Sequence, residues 1–154
     1  MDTAGHTPQQ IADHVGTGMI ANDPATRGLG IVLRSIAPGR AVMAMTVRAD
    51  MLNGFAICHG GLVTTLADSA FAFACNSYNE VTVAAGFDVN LLAASKLGDV
   101  LTACASEVSK SGRTGVYDIN VSNQRGEPVA AFRGRSYTIK GKLLLAHLPS
   151  TRGG

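Results

Sequence analysis

The sequence predicts an α+β protein in which an antiparallel β-sheet is wrapped around one long buried central helix. The first observation is the segment 59–79, HGGLVTTLADSAFAFACNSYN, which leaves no wide polar face. A helix with so narrow a polar face is buried rather than amphipathic. The second observation is a set of strand-like segments, bounded by turn residues, on both sides of this helix. Because only one long apolar helix can cover the sheet, the simplest arrangement is a sheet that curls around it.

Two capping signals predict a short helical segment near the N-terminus. Thr7 precedes Pro8, and Gln10 stands at the third helical position, a pattern that begins a helix running to about Met19. The run Asn22-Asp23-Pro24 repeats the combination of a capping residue and a proline, and it predicts a further helical turn. Within that run, a cap role for Asn22 is one of two interpretations considered below.

The strands are predicted from apolar runs between turn residues. Segments 31–37 and 42–47 form a hairpin around Pro38-Gly39. After the central helix, the short turns 96–99, 109–113 and 123–127 are expected to join further antiparallel neighbours. In one of these strands Tyr117, Ile119 and Val121 alternate with polar residues, which predicts one buried and one wet face. The four later strands are predicted at 81–92, 100–108, 115–122 and 128–140.

Length and composition limit the kind of protein. The 154 residues, 46% of them hydrophobic, suit a single domain spanning 1–154, with flexible ends at about 1–6 and 143–154. A net charge of +2, without basic residues interleaved with aromatic ones, argues against nucleic acid as a partner. The three cysteines lack a Cys-x-x-Cys pair, which argues against zinc and favours a reducing cytoplasm. Neither a signal peptide nor a membrane-spanning segment is apparent, so no membrane partner is expected.

The start of the central helix carries the best candidate for an active site. Burying an unpaired carboxylate costs several kcal/mol, so Asp68 must be hydrogen-bonded, protonated or turned toward a cleft. At 100° per residue, Asp68 and Gly61 project within roughly 20° of each other, with Thr64 and Thr65 between them. The first-turn N–H groups of Gly60, Gly61 and Leu62 are expected to have no helical partner and to hold an oxyanion. A lone aspartate or a turn at His59 is more often local structure, but the joint spacing favours a site.

Several strings between about Met19 and Lys140 resemble one known family. The chain looks like a hotdog-fold acyl-CoA thioesterase of the phenylacetate-degradation (PaaI-type) group, within the 4-hydroxybenzoyl-CoA thioesterase-like superfamily. The fold this resemblance implies is the hotdog fold. The matching strings are Asn22-Asp23, Met51-Leu52-Asn53-Gly54, Cys58-His59-Gly60-Gly61, Leu66-Ala67-Asp68-Ser69-Ala70-Phe71-Ala72, Ala74-Cys75-Asn76-Ser77, Gly115-Val116-Tyr117-Asp118-Ile119 and Phe132-Arg133-Gly134-Arg135-Ser136.

The resemblance implies hydrolysis of an acyl-CoA thioester at sites between two subunits of a homodimer or homotetramer. Asp68 of one chain would be the general base or the nucleophile, and the Gly60 N–H of the partner would polarise the thioester carbonyl. His59 and Asn22 would orient substrate or water, although a cap role for Asn22 competes. The resemblance implies no metal and no cofactor, because coenzyme A enters as part of the substrate.

Other residues are candidates for binding the substrate. Lys and Arg side chains bind phosphate groups such as those of coenzyme A. The chain departs from the family at Leu92-Ala93-Ala94-Ser95, where relatives commonly carry a basic residue and a proline, and this change concerns the rim of the pocket. The binding candidates are Gly61, Thr65, Asn90, Lys96, Arg113, Arg133 and Arg135.

Two other functions remain open at this point. A hotdog hydratase or dehydratase would use a histidine with an acidic partner, and the spacing between His59 and Asp68 argues against it. A non-catalytic acyl-CoA sensor shares the fold, but a binder would gain by replacing Asp68 with an apolar residue. The expected acyl group of the thioesterase is aryl-acetyl or a related medium-sized group.

Overall fold

The computed structural model describes residues 4–147, which form a six-stranded antiparallel sheet and four α-helices. The strands follow the order β1-β2-β4-β5-β6-β3, and α3 packs on one face of the sheet. This arrangement confirms the predicted α+β class. The helices are α1 (Pro8–Ala21), α2 (Pro24–Gly28), α3 (Gly60–Asn76) and α4 (Leu144–His147), and a 3-10 turn spans Ala49–Met51. The strands are β1 (Val32–Ala37), β2 (Arg40–Thr46), β3 (Glu80–Leu91), β4 (Val100–Ser111), β5 (Thr114–Ser122) and β6 (Pro128–Leu143).

The predicted cap of α1 is present in full. The Thr7 hydroxyl oxygen accepts a hydrogen bond from the backbone N–H of Gln10 at 3.1 Å, and the Gln10 side chain accepts one from the Thr7 N–H at 2.9 Å. Pro8 occupies the first helical position, where its missing N–H is no loss. The helix continues two residues beyond the predicted Met19.

The structure corrects the interpretation of Asn22 as the cap that begins α2. Asp23 is that cap, because its carboxylate accepts the Thr26 N–H at 3.0 Å and Pro24 follows it directly. Asn22 instead ends α1, and its side-chain amide donates to the carbonyl oxygen of Gly18 at 2.8 Å. The reason is that α1 runs on to Ala21, which leaves Asn22 to satisfy the last carbonyl groups.

One predicted connection is also wrong. Residues 96–99 were expected to join antiparallel neighbours, but they lie between β3 and β4, which do not pair. β4 already has β2 on one side and β5 on the other, so it offers no free edge to β3. β3 pairs instead with β6, and the chain after it crosses past the segment that leads into α3, where the Cys58 N–H donates to the Ser95 carbonyl oxygen at 2.8 Å.

The core lies between α3 and the sheet. Tyr117, Ile119 and Val121 are buried while the residues between them are not, which confirms the predicted alternation of β5. Phe71 of α3 is 1% exposed and packs directly over Gly134 of β6. A Cβ at Gly134 would lie 2.8 Å from two atoms of the Phe71 ring, so only glycine allows this close packing.

The far end of β6 leads into α4 within the segment predicted to be flexible. The backbone N–H groups of Leu144 and Leu145 donate to Asn79 at 3.0 and 2.9 Å. Residues 1–3 and 148–154 lie outside the described residues, so the flexibility of the two ends stays a prediction. Within 4–147, each helix is too short or too polar to span a membrane.

β3 forms one edge of the sheet. It is 12 residues long, and β6 is its only partner among the described strands. Three large apolar side chains on it, those of Val83, Phe87 and Leu91, are exposed. An edge strand with exposed apolar side chains is a surface on which another strand can pair.

Candidate active site

The start of α3 presents backbone N–H groups without acceptors. The carbonyl oxygen of His59 accepts the N–H groups of Leu62 and Val63 at 3.0 and 3.3 Å, which begins the helix. The expectation of a free N–H at Leu62 is therefore wrong, because the tight first turn bonds it to His59. The N–H groups of Gly60 and Gly61 find no acceptor among residues 4–147. Since the helix dipole adds positive charge at this end, the two N–H groups can stabilise an oxyanion.

Gly60 is glycine because the end of β3 covers it. A Cβ at Gly60 would collide with Cδ1 of Leu91. The two residues lie together on the wall of a cavity of about 350 Å³. The other residues that line this cavity are Asn53, Ile57, Cys58, Val63, Leu92, Ala93, Ala94 and Ser95.

Ser95 is a polar residue in this wall that sequence reasoning did not select. It is 2% exposed, and its hydroxyl oxygen has no hydrogen-bond partner among the described residues. A buried hydroxyl without a partner costs about 1–3 kcal/mol, so such a group is better explained when a ligand completes it. Its only signal in the sequence was its place in the stretch that departs from the family pattern.

A second hollow lies on the other side of the helix start. It measures about 280 Å³, and His59 and Gly61 line it together with Asp50, Met51, Leu52 and Leu62. The ring of His59 is exposed and forms no hydrogen bond with another described residue. Its backbone N–H donates to the Met51 carbonyl oxygen at 2.9 Å, so the backbone of His59 holds this loop while the ring stays available.

Asp68 lies on the one stripe of α3 that the sheet leaves open. Gly61, Thr65, Asp68 and Ala72 share this stripe and are not buried, whereas ten residues of the helix are. Asp68 is half-buried, and its carboxylate accepts no hydrogen bond from the described residues. Burial raises the pKa of Asp68 above its usual range, and the negative charge of Asp23 raises it further. The sequence left three possibilities for Asp68: a hydrogen bond, protonation, or a position facing a cleft. In the structure the carboxylate faces the open stripe and is easier to protonate than an ordinary aspartate.

The hydroxyl of Thr65 is already engaged, since it donates to the Gly61 carbonyl oxygen at 2.9 Å. This bond leaves the lone pairs of the hydroxyl oxygen free to accept a donor on the open stripe. Gly61 and Thr65 thus line the path between the helix start and Asp68.

Within one chain, Asp68 and Gly60 cannot act on the same atom. They are eight residues apart on a straight helix, which at 1.5 Å per residue is about 12 Å. A base and an oxyanion donor must both lie about 3 Å from the reacting group. One chain therefore supplies both kinds of group but not one complete site.

The segment around Asn22 lies close to Asp68. The hydroxyl of Thr26 donates to the Asp23 carboxylate at 2.7 Å and lies 2.9 Å from the hydroxyl of Ser69, the residue after Asp68. Asn22 lines a neighbouring hollow of about 420 Å³ with Met19, Asp23, Pro24, Ala25 and Leu144. The structure thus brings Asn22 and Asp68 to the same region of one chain.

Three of the predicted binding residues lie on the other face of the sheet. Side chains alternate along a strand, and Phe132 and Gly134 face α3, so Arg133 and Arg135 point away from it, as does Asn90 opposite Ala131. Arg133 forms two hydrogen bonds to Asp118, at 2.6 and 2.8 Å, and Arg135 forms one to Asp88 at 2.9 Å.

The other two basic candidates are separated from each other. Arg113 lies at the turn between β4 and β5 and donates to the Tyr137 hydroxyl at 3.2 Å. Lys96 follows Ser95 directly, is exposed, and forms no ion pair with another described residue. Within one chain, Lys96 is thus the candidate cation beside the Gly60 cavity.

Comparisons with known proteins agree with this geometry. The sequence profile of the thioesterase superfamily matches residues 55–130. The acyl-coenzyme A thioesterase PaaI of Escherichia coli is 46% identical over 125 residues, which is 81% of this chain and 89% of that protein.

Solved structures show the same similarity. The Escherichia coli PaaI protein from the phenylacetic acid degradation operon superposes with a TM-score of 0.86 at 43% identity, over 88% of this chain and 99% of that one. A hypothetical thioesterase from Streptococcus pneumoniae, solved with coenzyme A, gives 0.68 at 28% identity over 70% of this chain and 87% of that one. These matches confirm the resemblance and the hotdog fold predicted from the sequence, and the chain belongs to the thioesterase superfamily, in the family of PaaI-type acyl-CoA thioesterases.

Proposed function

We propose that this protein hydrolyses an acyl-CoA thioester to a free acid and coenzyme A, with Asp68 and the Gly60 N–H as its catalytic groups. The observation that carries the proposal is the open stripe of α3. Within residues 4–147, the N–H groups at its start have no acceptor, and the Asp68 carboxylate about 12 Å away accepts no hydrogen bond. No metal ion or organic cofactor enters the reaction.

The separation of the two groups supports a site shared between two chains. In a twofold-symmetric dimer, the helix start of one chain can face Asp68 of the other, and symmetry then creates two equal sites. The edge strand β3 supports such pairing, because it is long, unpaired on one side and ends at Leu91 beside Gly60. The assembly is a homodimer or a homotetramer built from such dimers.

The reaction requires two actions at the thioester carbonyl. The Gly60 N–H donates to the carbonyl oxygen as negative charge develops there, and such a donor contributes about 2.7–4 kcal/mol in known enzymes. Asp68 either takes a proton from water, whose oxygen then adds to the carbonyl carbon, or adds itself to form an anhydride that water cleaves. In both cases the carbon–sulfur bond breaks and the thiolate of coenzyme A leaves with a proton. A positioned base adds about 10²–10⁴-fold to the rate.

His59, Asn22 and Ser95 have hydrogen-bonding groups that can contact the substrate or water. The ring of His59 is free to orient substrate or water. Asn22 uses its amide N–H₂ group on Gly18, so its carbonyl oxygen remains an acceptor for a substrate N–H or for water. The hydroxyl of Ser95 extends this set as a donor inside the Gly60 cavity.

The coenzyme A part of the substrate has several possible contacts. We assign Lys96 first to its phosphates, because it is beside the cavity and forms no ion pair with a carboxylate in the described part of the chain. Arg133 and Arg135 would have to leave Asp118 and Asp88, and such exposed pairs are worth only about 0–1 kcal/mol. The remaining binding candidates are Gly61, Thr65, Asn90 and Arg113.

The acyl group we propose is aryl-acetyl or a related medium-sized group. Its support is the similarity to the Escherichia coli protein of the phenylacetic acid degradation operon. We also propose that the enzyme acts in the cytoplasm, since Cys58, Cys75 and Cys104 are all free thiols.

The first experiment measures release of free thiol from a panel of acyl-CoA esters by the unmodified protein and by Asp68→Asn. The expected result is hydrolysis that falls by at least about 100-fold in the variant, since a positioned base contributes that much. Asp13→Asn, which neutralises an exposed carboxylate on α1, is the matched control and should keep full activity. Tight binding of acyl-CoA without turnover would instead indicate a sensor, and addition of water to an enoyl-CoA would indicate a hydratase.

A second experiment tests the shared site by complementation. Gly60→Pro removes the N–H donor at a helical position that tolerates proline, and Leu91→Ala in the same chain makes room for the ring. These chains are refolded together with an equal amount of Asp68→Asn chains. The heterodimers that form have one intact site out of two. Activity should return to about a quarter of the native value, as random pairing in a twofold dimer predicts. No recovery from well-mixed chains would contradict a site built from two subunits.

A further inference from the structure

A chain of hydroxyl groups ties Asp23 to the residue beside Asp68. Both oxygens of the Asp23 carboxylate accept hydrogen bonds from Thr26, one from its N–H at 3.0 Å and one from its hydroxyl at 2.7 Å. The Thr26 hydroxyl has a single proton and donates it to Asp23, so the Ser69 hydroxyl must be the donor in the 2.9 Å contact with Thr26.

The direction of these bonds suits a charged Asp23. Every proton in the chain from Ser69 through Thr26 points toward its carboxylate, which acts only as an acceptor, as an ionised carboxylate does. Thr26 and Ser69 are both buried, so water does not compete for these bonds. The contact fixes α2 on α3 at the position adjacent to Asp68.

The surroundings of Asp68 contain no opposing charge in the described part of the chain. From α2, Asp23 acts on it as a like charge. From α3 itself, the nearby ionisable group is Cys75, and burial raises the pKa of that thiol to about 12, so it is neutral. No lysine, arginine or histidine among residues 4–147 acts on Asp68.

We propose that Asp23 is a positioning residue for the catalytic base: Thr26, which is itself bonded to Ser69, holds the negative charge of Asp23 next to Asp68. This inference rests on the proposed function. It assigns a role to a residue outside the set of catalytic candidates, which are Asp68, Gly60, His59 and Asn22. An isolated aspartate is a weak base near neutral pH, because the efficiency of a general base rises as its affinity for the proton approaches the working pH. A fixed like charge in a half-buried site increases that affinity without placing another group in contact with the substrate.

The test separates the charge of Asp23 from its role as the cap of α2. Asp23→Asn removes the charge but keeps the cap, since asparagine is an equally good N-cap and can accept the Thr26 N–H. Asp23→Glu keeps the charge at the expense of the cap geometry. Asp13→Asn serves as the control for loss of an exposed carboxylate from the same N-terminal segment.

Two readouts are compared for each variant. The first is the acid limb of the pH profile of kcat/KM, and the second is the titration of the Asp68 carboxyl carbon by NMR in ¹³C-labelled protein, identified by its absence in Asp68→Asn. In Asp23→Asn, both should move to lower pH at low salt, because removal of the like charge makes Asp68 easier to ionise. Both should stay near the native position in Asp23→Glu and in Asp13→Asn.

The outcomes are distinct. If Asp23→Asn hydrolyses the substrate with the same acid limb of the kcat/KM profile and the same Asp68 titration as the native protein, the inference is overturned. The proposed function is then left intact. A lower kcat at every pH without a shift would likewise overturn the inference, because that result indicates a purely structural role. Absence of hydrolysis by the unmodified protein would overturn the proposed function and this inference together.

Discussion

Replacing Gly134 with alanine is expected to destabilise the protein, because the new methyl group would occupy space held by Phe71. The added Cβ would lie 2.8, 2.8 and 2.9 Å from three atoms of the Phe71 ring. Ordinary carbon–carbon contacts are about 3.5–4.0 Å, so the ring or the strand must move by roughly 0.7 Å. The ring cannot turn aside, since it is buried against the rings of Tyr117 and Phe132, with centroids 5.7 and 5.9 Å away.

The expected magnitude is that of an overpacked core, about 1–3 kcal/mol. For a chain of this length, each kcal/mol lowers the Tm by about 2–4 °C. Urea unfolding followed by circular dichroism should show a lower midpoint with an unchanged slope, at one fixed protein concentration. Gly28→Ala is the matched control, because a Cβ there meets nothing within 4 Å. In a Phe71→Leu background, Gly134→Ala should be less harmful, as expected for two residues in contact.

A loss below about 0.5 kcal/mol, the range of ordinary surface substitutions, would refute this reasoning. It would mean that Phe71 and the sheet can separate without penalty. An equal effect of Gly134→Ala with and without Phe71→Leu would refute it as well, since the destabilisation would then come from another neighbour.

Two further predictions concern Asp68 and the cap of α1. Burial, and to a smaller extent Asp23, raises the pKa of Asp68, so the folded chain holds this proton more tightly than the unfolded chain does. Stability linked to Asp68 therefore falls as the pH rises from the ordinary pKa through the raised one. Asp68→Asn should have a higher urea midpoint than the native protein at pH 7, with a smaller difference near pH 4, and equal midpoints at pH 7 would contradict this. Thr7→Ala should lower the free energy of unfolding by about 1 kcal/mol in the same assay, while Thr7→Ser should retain the cap. If alanine and serine gave the same midpoint, the hydrogen bond to Gln10 would not stabilise α1.

Features that depend on a few neighbouring residues could be predicted from the sequence. The cap formed by Thr7 and Gln10 is complete within four positions, so its donors and acceptors are visible without knowledge of the fold. The same holds for the alternation of Tyr117, Ile119 and Val121 in β5, where burial follows the period of the strand. The buried α3 could be predicted because nearly all its side chains are apolar, which excludes a solvent-facing side.

Features that depend on distant partners could not be predicted. The short segment 96–99 has the composition of a hairpin turn, yet β3 pairs with the free edge of β6, whose residues lie about 40 to 60 positions further along the chain. Asn22 and Asp23 are both favoured N-cap residues, so the sequence does not show which of them begins α2. The position where α1 ends determines this. The partners of Arg133 and Arg135 are carboxylates on neighbouring strands, so the sequence alone shows two cations but not that each is already paired.

The candidate site shows the same division. The spacing of Gly61, Thr65 and Asp68 follows from helical geometry and could be worked out in advance. The unpaired hydroxyl of Ser95 could not, because it matters only once the crossing segment has placed it against the start of α3. The register of the strands also determines which side chains of the sheet face α3. Asn90 pairs with Ala131 and therefore lies on the face of the sheet away from α3.

The pairing of β3 with the last strand has a consequence for how the chain folds. Val89 meets Phe132 and Glu80 meets Leu143, so this ladder closes loops of more than 40 residues. Loop closure of that kind slows folding, and proteins dominated by such distant contacts fold in milliseconds to seconds. During synthesis, β3 leaves the ribosome well before its partner exists, and its apolar side chains stay uncovered over that interval. A nascent chain that ends before Pro128 therefore exposes an apolar strand without its pairing partner, and such a strand is prone to aggregation until β6 is made.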